Sequence, residues 1–139
     1  MRFYLDACTS YHVLDPIKAV YKDHEFLSYY SEFLQDVKDI PLFDEMARLA
    51  VDVFLTVDRQ QLYNEPEKDA IRVGGCHWVG FNQATGKGPS QLARISAVLL
   101  NTVTYILDNP PVVPTAFVAK SFGREHHQVF SKMAALSDV

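Results

Sequence analysis

The chain alternates short, wholly apolar runs with longer segments of helical period. Arg2-Phe3-Tyr4-Leu5 and Val53-Phe54-Leu55-Thr56-Val57 have strand length, and each is closed by an aspartate, Asp6 and Asp58. After the first run, Thr9 or Ser10 can cap a helix to about Val20, with Pro16 implying a break or a late start. Residues 25–30 fit a strand, while the aromatics continuing to Phe33-Leu34 also suit a helix, and the pattern leaves both open. Pro41 is expected to open a helix carrying Leu42, Met46 and Leu49 on one face, with Asp44-Glu45 in its first turn. Pro66 opens another to about Val73, stopped by Gly74-Gly75, and Cys76–Phe81 then reads as a short buried strand. Ser90 is expected to cap a long helix over 91–107, ended by Asn109-Pro110-Pro111, and Val112–Val118 forms a last strand. Strands separated by helices of this length predict βαβ units, hence an α/β fold with a central, mostly parallel sheet of four to five strands. One domain spans 1–139, with core βα units over 1–84 and a C-terminal helix and extension over 85–139.

Composition narrows the class. Hydrophobic content of 48% and charged content of 22% are those of an ordinary globular chain. No apolar run approaches the ~20 residues that span a bilayer, and no basic segment ahead of an apolar one marks a signal peptide. Cys8 and Cys76 form no C-x-x-C motif and read as buried thiols of a reducing compartment, so a cytoplasmic location is expected. A net charge of −4 argues against nucleic-acid binding through a general basic surface. The charge is uneven, however: residues 1–69 hold 14 of the 17 acids but 7 of the 13 bases. This is either a solvated acidic face or an acidic, metal-collecting half beside a more basic, phosphate-collecting one.

The two strand-ending aspartates carry the most chemistry. In an open parallel sheet the ligand crevice lies outside the carboxyl ends of the strands, where the strand order reverses. If the runs ending at Asp6 and Asp58 are the first and third strands, they are neighbours there. Converging carboxylates repel unless a hard cation separates them, and Mg²⁺ or Mn²⁺ takes such oxygen ligands while keeping waters. Asp44 and Glu45 would complete the set. The competing reading is that each aspartate caps the turn that follows it. Other constellations are weaker. Adjacent His126-His127 do not face one another on a helix, and His77 in an apolar strand reads as a core histidine. Cys8 with His12 has the spacing of a thiol nucleophile and base, but that spacing is common by chance, and Gly86-Lys87-Gly88 lacks the spacing of a phosphate-binding loop. The aromatics at 26, 29, 30 and 33 read as core before they read as a base-stacking platform.

With these residues in view, the chain resembles the PIN-like domains, in particular the compact subgroup related to VapC-type toxins. The opening Arg2–Asp6, the Thr56-Val57-Asp58 strand end, Asp44-Glu45-Met46, and the run Asn64-Glu65-Pro66-Glu67-Lys68-Asp69-Ala70 before Gly74-Gly75 carry the likeness. The long helix 91–107 and Thr115-Ala116-Phe117 fit its C-terminal end. The resemblance implies a three-layer fold and a Mg²⁺- or Mn²⁺-dependent endoribonuclease of toxin–antitoxin type. Asp6, Asp58 and Asp44 or Glu45 would form the metal and catalytic set, and the fourth acid is left open among Glu65, Glu67 and Asp69. Bases such as Arg59, Arg72, Lys87, Arg94 and Arg124 would contact RNA phosphates. RNA as substrate, an antitoxin protein and a homodimer are the partners it brings into view, with no membrane. Two alternatives stand beside it. One is a non-catalytic PIN-like protein-binding module. The other is a phosphatase or hydrolase with Asp6 as nucleophile, disfavoured because Cys8 stands where a second aspartate would be expected.

Overall fold

The computed structural model describes residues 1–83 and 87–120. Five strands, β1 (Arg2–Leu5), β2 (Glu25–Ser28), β3 (Val53–Thr56), β4 (His77–Gly80) and β5 (Ala116–Val118), form one sheet in the order β2-β1-β3-β4-β5. All four pairings are parallel. The α/β, Rossmann-like architecture read from the sequence is therefore the observed one. Residues 25–28, which periodicity left open, are an edge strand. The last strand is shorter than expected, covering only 116–118.

Side-chain alternation along each strand divides the core in two. Phe3 and Leu5, Val53 and Leu55, and Val79 face α1 (Asp15–Val20) and α4 (Pro89–Asp108), where Ile17, Ile95, Leu99, Val103 and Ile106 complete a buried layer. Tyr4, Phe54 and Trp78 stand in register on the opposite face and are covered by α2 (Asp39–Arg48) and α3 (Glu65–Gly74). Tyr4 stacks on Phe54 with ring centroids 5.7 Å apart, and Phe43 of α2 meets Phe54 edge-on at 5.0 Å. The three layers are thus helices, sheet, helices.

Local signals explain most element ends. Ser10 accepts from the His12 N–H to open a 3₁₀ turn over Tyr11–Leu14, and Pro16 lies at the start of α1. Asn64 caps α3 through the Glu67 N–H, and Gly75, at φ 75°, ends it in the left-handed conformation. Two helix starts differ from expectation. The last helix begins at Pro89 behind Gly88, so Ser90 lies inside it and is no cap. Helix α2 begins at Asp39, two residues before Pro41. Proline fits anywhere in a first turn, because the leading N–H groups have no intrahelical partner there; Pro41 therefore marks the first turn and not its first residue. Asp44 and Glu45 move out of that turn, and Asp39 takes it.

His77 is half-buried, short of the core histidine the pattern predicts; its Nδ1 accepts the Thr115 N–H at 3.1 Å, and desolvation lowers its pKa. Cys76 is buried, whereas Cys8 is only half-buried; both are free thiols. Among the described residues no helix is long and apolar enough to cross a membrane. His126, His127 and Arg124 lie outside the described residues.

Strand β4 places Trp78, 1% exposed, against Gly80, where an added Cβ would lie 2.6 Å from the indole Cζ3. Gly80→Ala is expected to cost about 1–3 kcal/mol through forced repacking of the indole, read as a lower urea midpoint with unchanged m. A loss under about 0.5 kcal/mol, the usual scatter of neutral substitutions, would show that the indole does not need this clearance.

A candidate acidic site at the carboxyl edge of the sheet

The strand order reverses between β1 and β3: the chain leaves β1 for β2 on one side and returns to β3 on the other. Asp6 and Asp58 follow those two strands. The Asp6 N–H extends the pairing by donating to the Leu55 carbonyl at 2.9 Å. One hydroxyl then joins the two acids. Thr56 Oγ1, fully buried, donates to Asp6 Oδ2 at 2.9 Å and accepts the Asp58 N–H at 3.0 Å. The other Asp6 oxygen, Oδ1, accepts the Ala7 N–H at 2.8 Å. Asp58 Oδ1 accepts the Gln60 N–H at 3.1 Å and so also caps the 3₁₀ turn Arg59–Leu62. The capping reading of Asp58 is therefore real, and it places the carboxylate without consuming it.

Helix α2 brings a third acid that the sequence pattern did not single out. It descends against the strand direction, from the carboxyl edge at Asp39 to the amino edge, where the Leu49 carbonyl accepts from the Arg2 guanidinium. Asp39 Oδ1 accepts from Gln61 Nε2 at 3.3 Å, just past the end of β3. Helix α3, packed on α2, supplies the fourth. Glu67 lines one cleft with Asp39 and feels the charges of Asp39 and Asp58. Asp39 and Glu67 line one open cleft of about 450 Å³ with Lys38, Ile40 and Pro41.

Asp6, Asp39, Asp58 and Glu67 are each half-buried, and they form one electrostatic group. The Asp6 carboxyl is held above its ordinary range, mainly by burial; the Thr56 and Ala7 bonds oppose this, and the charges of Asp39 and Asp58 add to it. The Glu67 carboxyl is also raised, by desolvation first, then by Asp39 beside it and by the charge of Asp58.

The remaining sequence candidates are elsewhere. Asp44 is exposed in the middle of α2, and Glu45 is bound to Arg48 at 2.6 Å. Neither is brought to Asp6 and Asp58, because the helix opens two residues earlier than Pro41 suggested, and Asp39 takes the first turn instead. Asp69 pairs with Arg72 at 2.6 Å on the exposed side of α3, and Glu65 approaches Lys68 at 4.0 Å. Of the expected phosphate contacts, Arg59 adjoins Asp58 and bonds Asn82 Oδ1 at 3.0 Å. Lys87 is exposed in the segment leading to α4, and Arg94 is half-buried on that helix. Arg72 points to Asp69 and not to the acidic group. Cys8 is no activated thiol. Its sulfur accepts the Val57 N–H at 3.2 Å, burial pushes its pKa up, and His12 bonds Asp15 instead.

The donor set is all oxygen, which suits a hard cation. Among the described residues no three His, Cys, Asp or Glu side chains stand close enough to hold an ion between them. The arrangement therefore fits an ion held by a carboxylate pair and completed by water or phosphate, and does not fit a closed protein cage.

The raised carboxyls set a pH dependence. An acid whose pKa is higher in the fold than in the unfolded chain stabilises most below the unfolded value near 3.9, and that contribution is lost as pH rises through the folded value. Stability should therefore decline over this window in the wild type and decline less in Asp6→Asn, which keeps an acceptor for the Ala7 N–H but carries no charge. Urea unfolding of both proteins from pH 4 to pH 7 checks this; parallel pH profiles would show that Asp6 is not strained by its neighbours.

No protein-family model, curated protein or solved structure matches the chain, so its chemistry rests on these side chains alone.

Proposed function

We propose that the chain is a Mg²⁺- or Mn²⁺-dependent endoribonuclease with a PIN-like arrangement of acids. The observation that carries this reading is that four half-buried carboxylates, two just past β1 and β3 and two on α2 and α3, feel one another's charge at the switch point of an all-parallel sheet, with Asp39 and Glu67 lining one cleft. Structural ion pairing does not account for them: among these four, no salt bridge to a Lys or Arg is present within the described residues. Stability alone would not assemble such a group, since like charges in partial burial oppose folding. A binding role for cations does account for it.

Asp39 and Glu67 would hold the ion on the cleft side, and Asp6 and Asp58 would face it from the strand ends. When bound, the ion would lower the pKa of a water and offset charge on a phosphodiester. The protein's own part is to fix the carboxylates. Thr56 orients Asp6 and the Asp58 backbone together, and the start of α2 sets Asp39 where the helix end favours negative charge. Arg59, beside Asp58, is the base best placed to meet a phosphate oxygen. The open cleft leaves room for a strand of RNA to approach from the carboxyl edge. An antitoxin protein as regulator and a cytoplasmic location follow from the same reading.

The test is cleavage of a structured RNA by purified protein in Mn²⁺, with EDTA as control. Asp39→Asn and Asp58→Ala are expected to lower the rate at least about 100-fold, since even outer partners of metal ligands cost 10–100-fold. Asp44→Asn should stay within about twofold. Activity that survives EDTA, or falls with Asp44→Asn and not with Asp39→Asn, would overturn the assignment.

A further inference from the structure

The 3₁₀ turn after Asp58 carries a fully buried glutamine. Gln61 is 0% exposed, lies between β4 and α2, and bonds in two directions. Its Oε1 accepts the Trp78 indole N–H at 3.0 Å, and its Nε2 donates to Asp39 Oδ1 at 3.3 Å. The orientation of the amide is not arbitrary. An indole nitrogen can only donate, so the atom facing it must be the carbonyl oxygen, and the NH₂ group is thereby turned to Asp39. Trp78 in turn is 1% exposed and has its ring pressed over Gly80, which leaves the indole no room to rotate away. Gly80, Trp78, Gln61 and Asp39 form a line from the sheet interior to the acidic cleft.

We propose that Gln61 is a positioning residue that fixes the Asp39 carboxylate toward Glu67 for cation binding, with Trp78 as the anchor that sets the direction of its amide. This rests on the reading of Asp39 and Glu67 as cation-binding acids. A buried glutamine satisfied by one tryptophan would be a core feature and nothing more. Here the second bond ends on a half-buried carboxylate at the rim of a cleft. That carboxylate sits at the first residue of α2, where Lys38 supplies no side-chain cap to hold the helix start. The Gln61 amide is the neutral side-chain donor that reaches Asp39 Oδ1. Oxygen ligands need second partners to hold their orientation, and those partners govern affinity nearly as strongly as the ligands do.

The test is a double-mutant cycle read by Mn²⁺ affinity, measured from the EPR signal of free Mn²⁺. Gln61→Met keeps the length of the side chain and removes both bonds. It is expected to raise the Mn²⁺ Kd about tenfold in the wild-type background, and less than twofold when Asp39→Asn is already present. Trp78→Phe, which keeps an aromatic ring but lets the amide turn over, should give an intermediate rise. Equal effects of Gln61→Met in both backgrounds, or a lower Tm with unchanged Kd, would reduce Gln61 to a packing residue and overturn the proposal. A second reading needs no metal: the Gln61 side-chain amide resonance in a ¹⁵N–¹H spectrum should move in Asp39→Asn and stay in place in Asp6→Asn. If the wild type binds no Mn²⁺, the nuclease reading fails, and the coupling is then decided by that resonance, which overturns it if it ignores Asp39→Asn.

Discussion

Strand β1 is paired on both sides, with β2 along one edge and β3 along the other, and the consequences of that pairing reach every feature of the candidate site. Parallel crossovers are right-handed, so leaving β1 in one direction and returning in the other puts the intervening helices on opposite faces of the sheet. Helix α1 falls on one face and α2 on the other. Between the two departures a notch opens at the carboxyl edge. Asp6 and Asp58 flank that notch because the register Leu5↔Leu55 brings the ends of both strands level. The buried Thr56 hydroxyl then ties one to the other.

Convergence of this kind opposes stability, and the structure shows how the cost is contained. Asp6 receives a hydroxyl and a backbone N–H, Asp58 is occupied with a turn, and Asp39 takes a side-chain amide. Even so, the carboxyls of Asp6 and Glu67 are raised. Burial is the larger cause in both, and the charges of the neighbouring acids add to it. The hydrophobic layers beneath carry the load. Tyr4, Phe54 and Trp78 form an in-register buried row under α2 and α3, so the acids stand at the edge of a packed core.

What could be read from the sequence follows the reach of each signal. β1 and β3 were legible because a strand buried on both faces is apolar throughout, and the acids closing them followed directly. Helix α3 was legible at both ends, with Pro66 near its start and Gly75 at its left-handed stop. Asp39 was not, because Pro41 fixes only the first turn, and Lys38 gives no capping signal to locate the boundary. Choosing Glu67 over Glu65 and Asp69 requires the packing of α3 on α2, a tertiary fact with no local trace. Gln61 lies in a 3₁₀ turn too short for any periodicity, and its partners Asp39 and Trp78 are 22 and 17 residues away. The spacing Asp39-Ile40-Pro41 is a weak hint for the missing acid, since Asp108-Asn109-Pro110 repeats it at the far end of α4.

The proposed cation site depends on the Asp39–Glu67 pair at the cleft, with Asp6 and Asp58 adding their charge from the strand ends. Anomalous diffraction from a crystal soaked in Mn²⁺ addresses it directly. The expected result is a peak within ligand distance, about 2–2.5 Å, of carboxylate oxygens of both Asp39 and Glu67, on the side facing Asp6 and Asp58. A peak at Asp44 and Glu45, or none at the carboxyl edge with Mn²⁺ in excess, would contradict it.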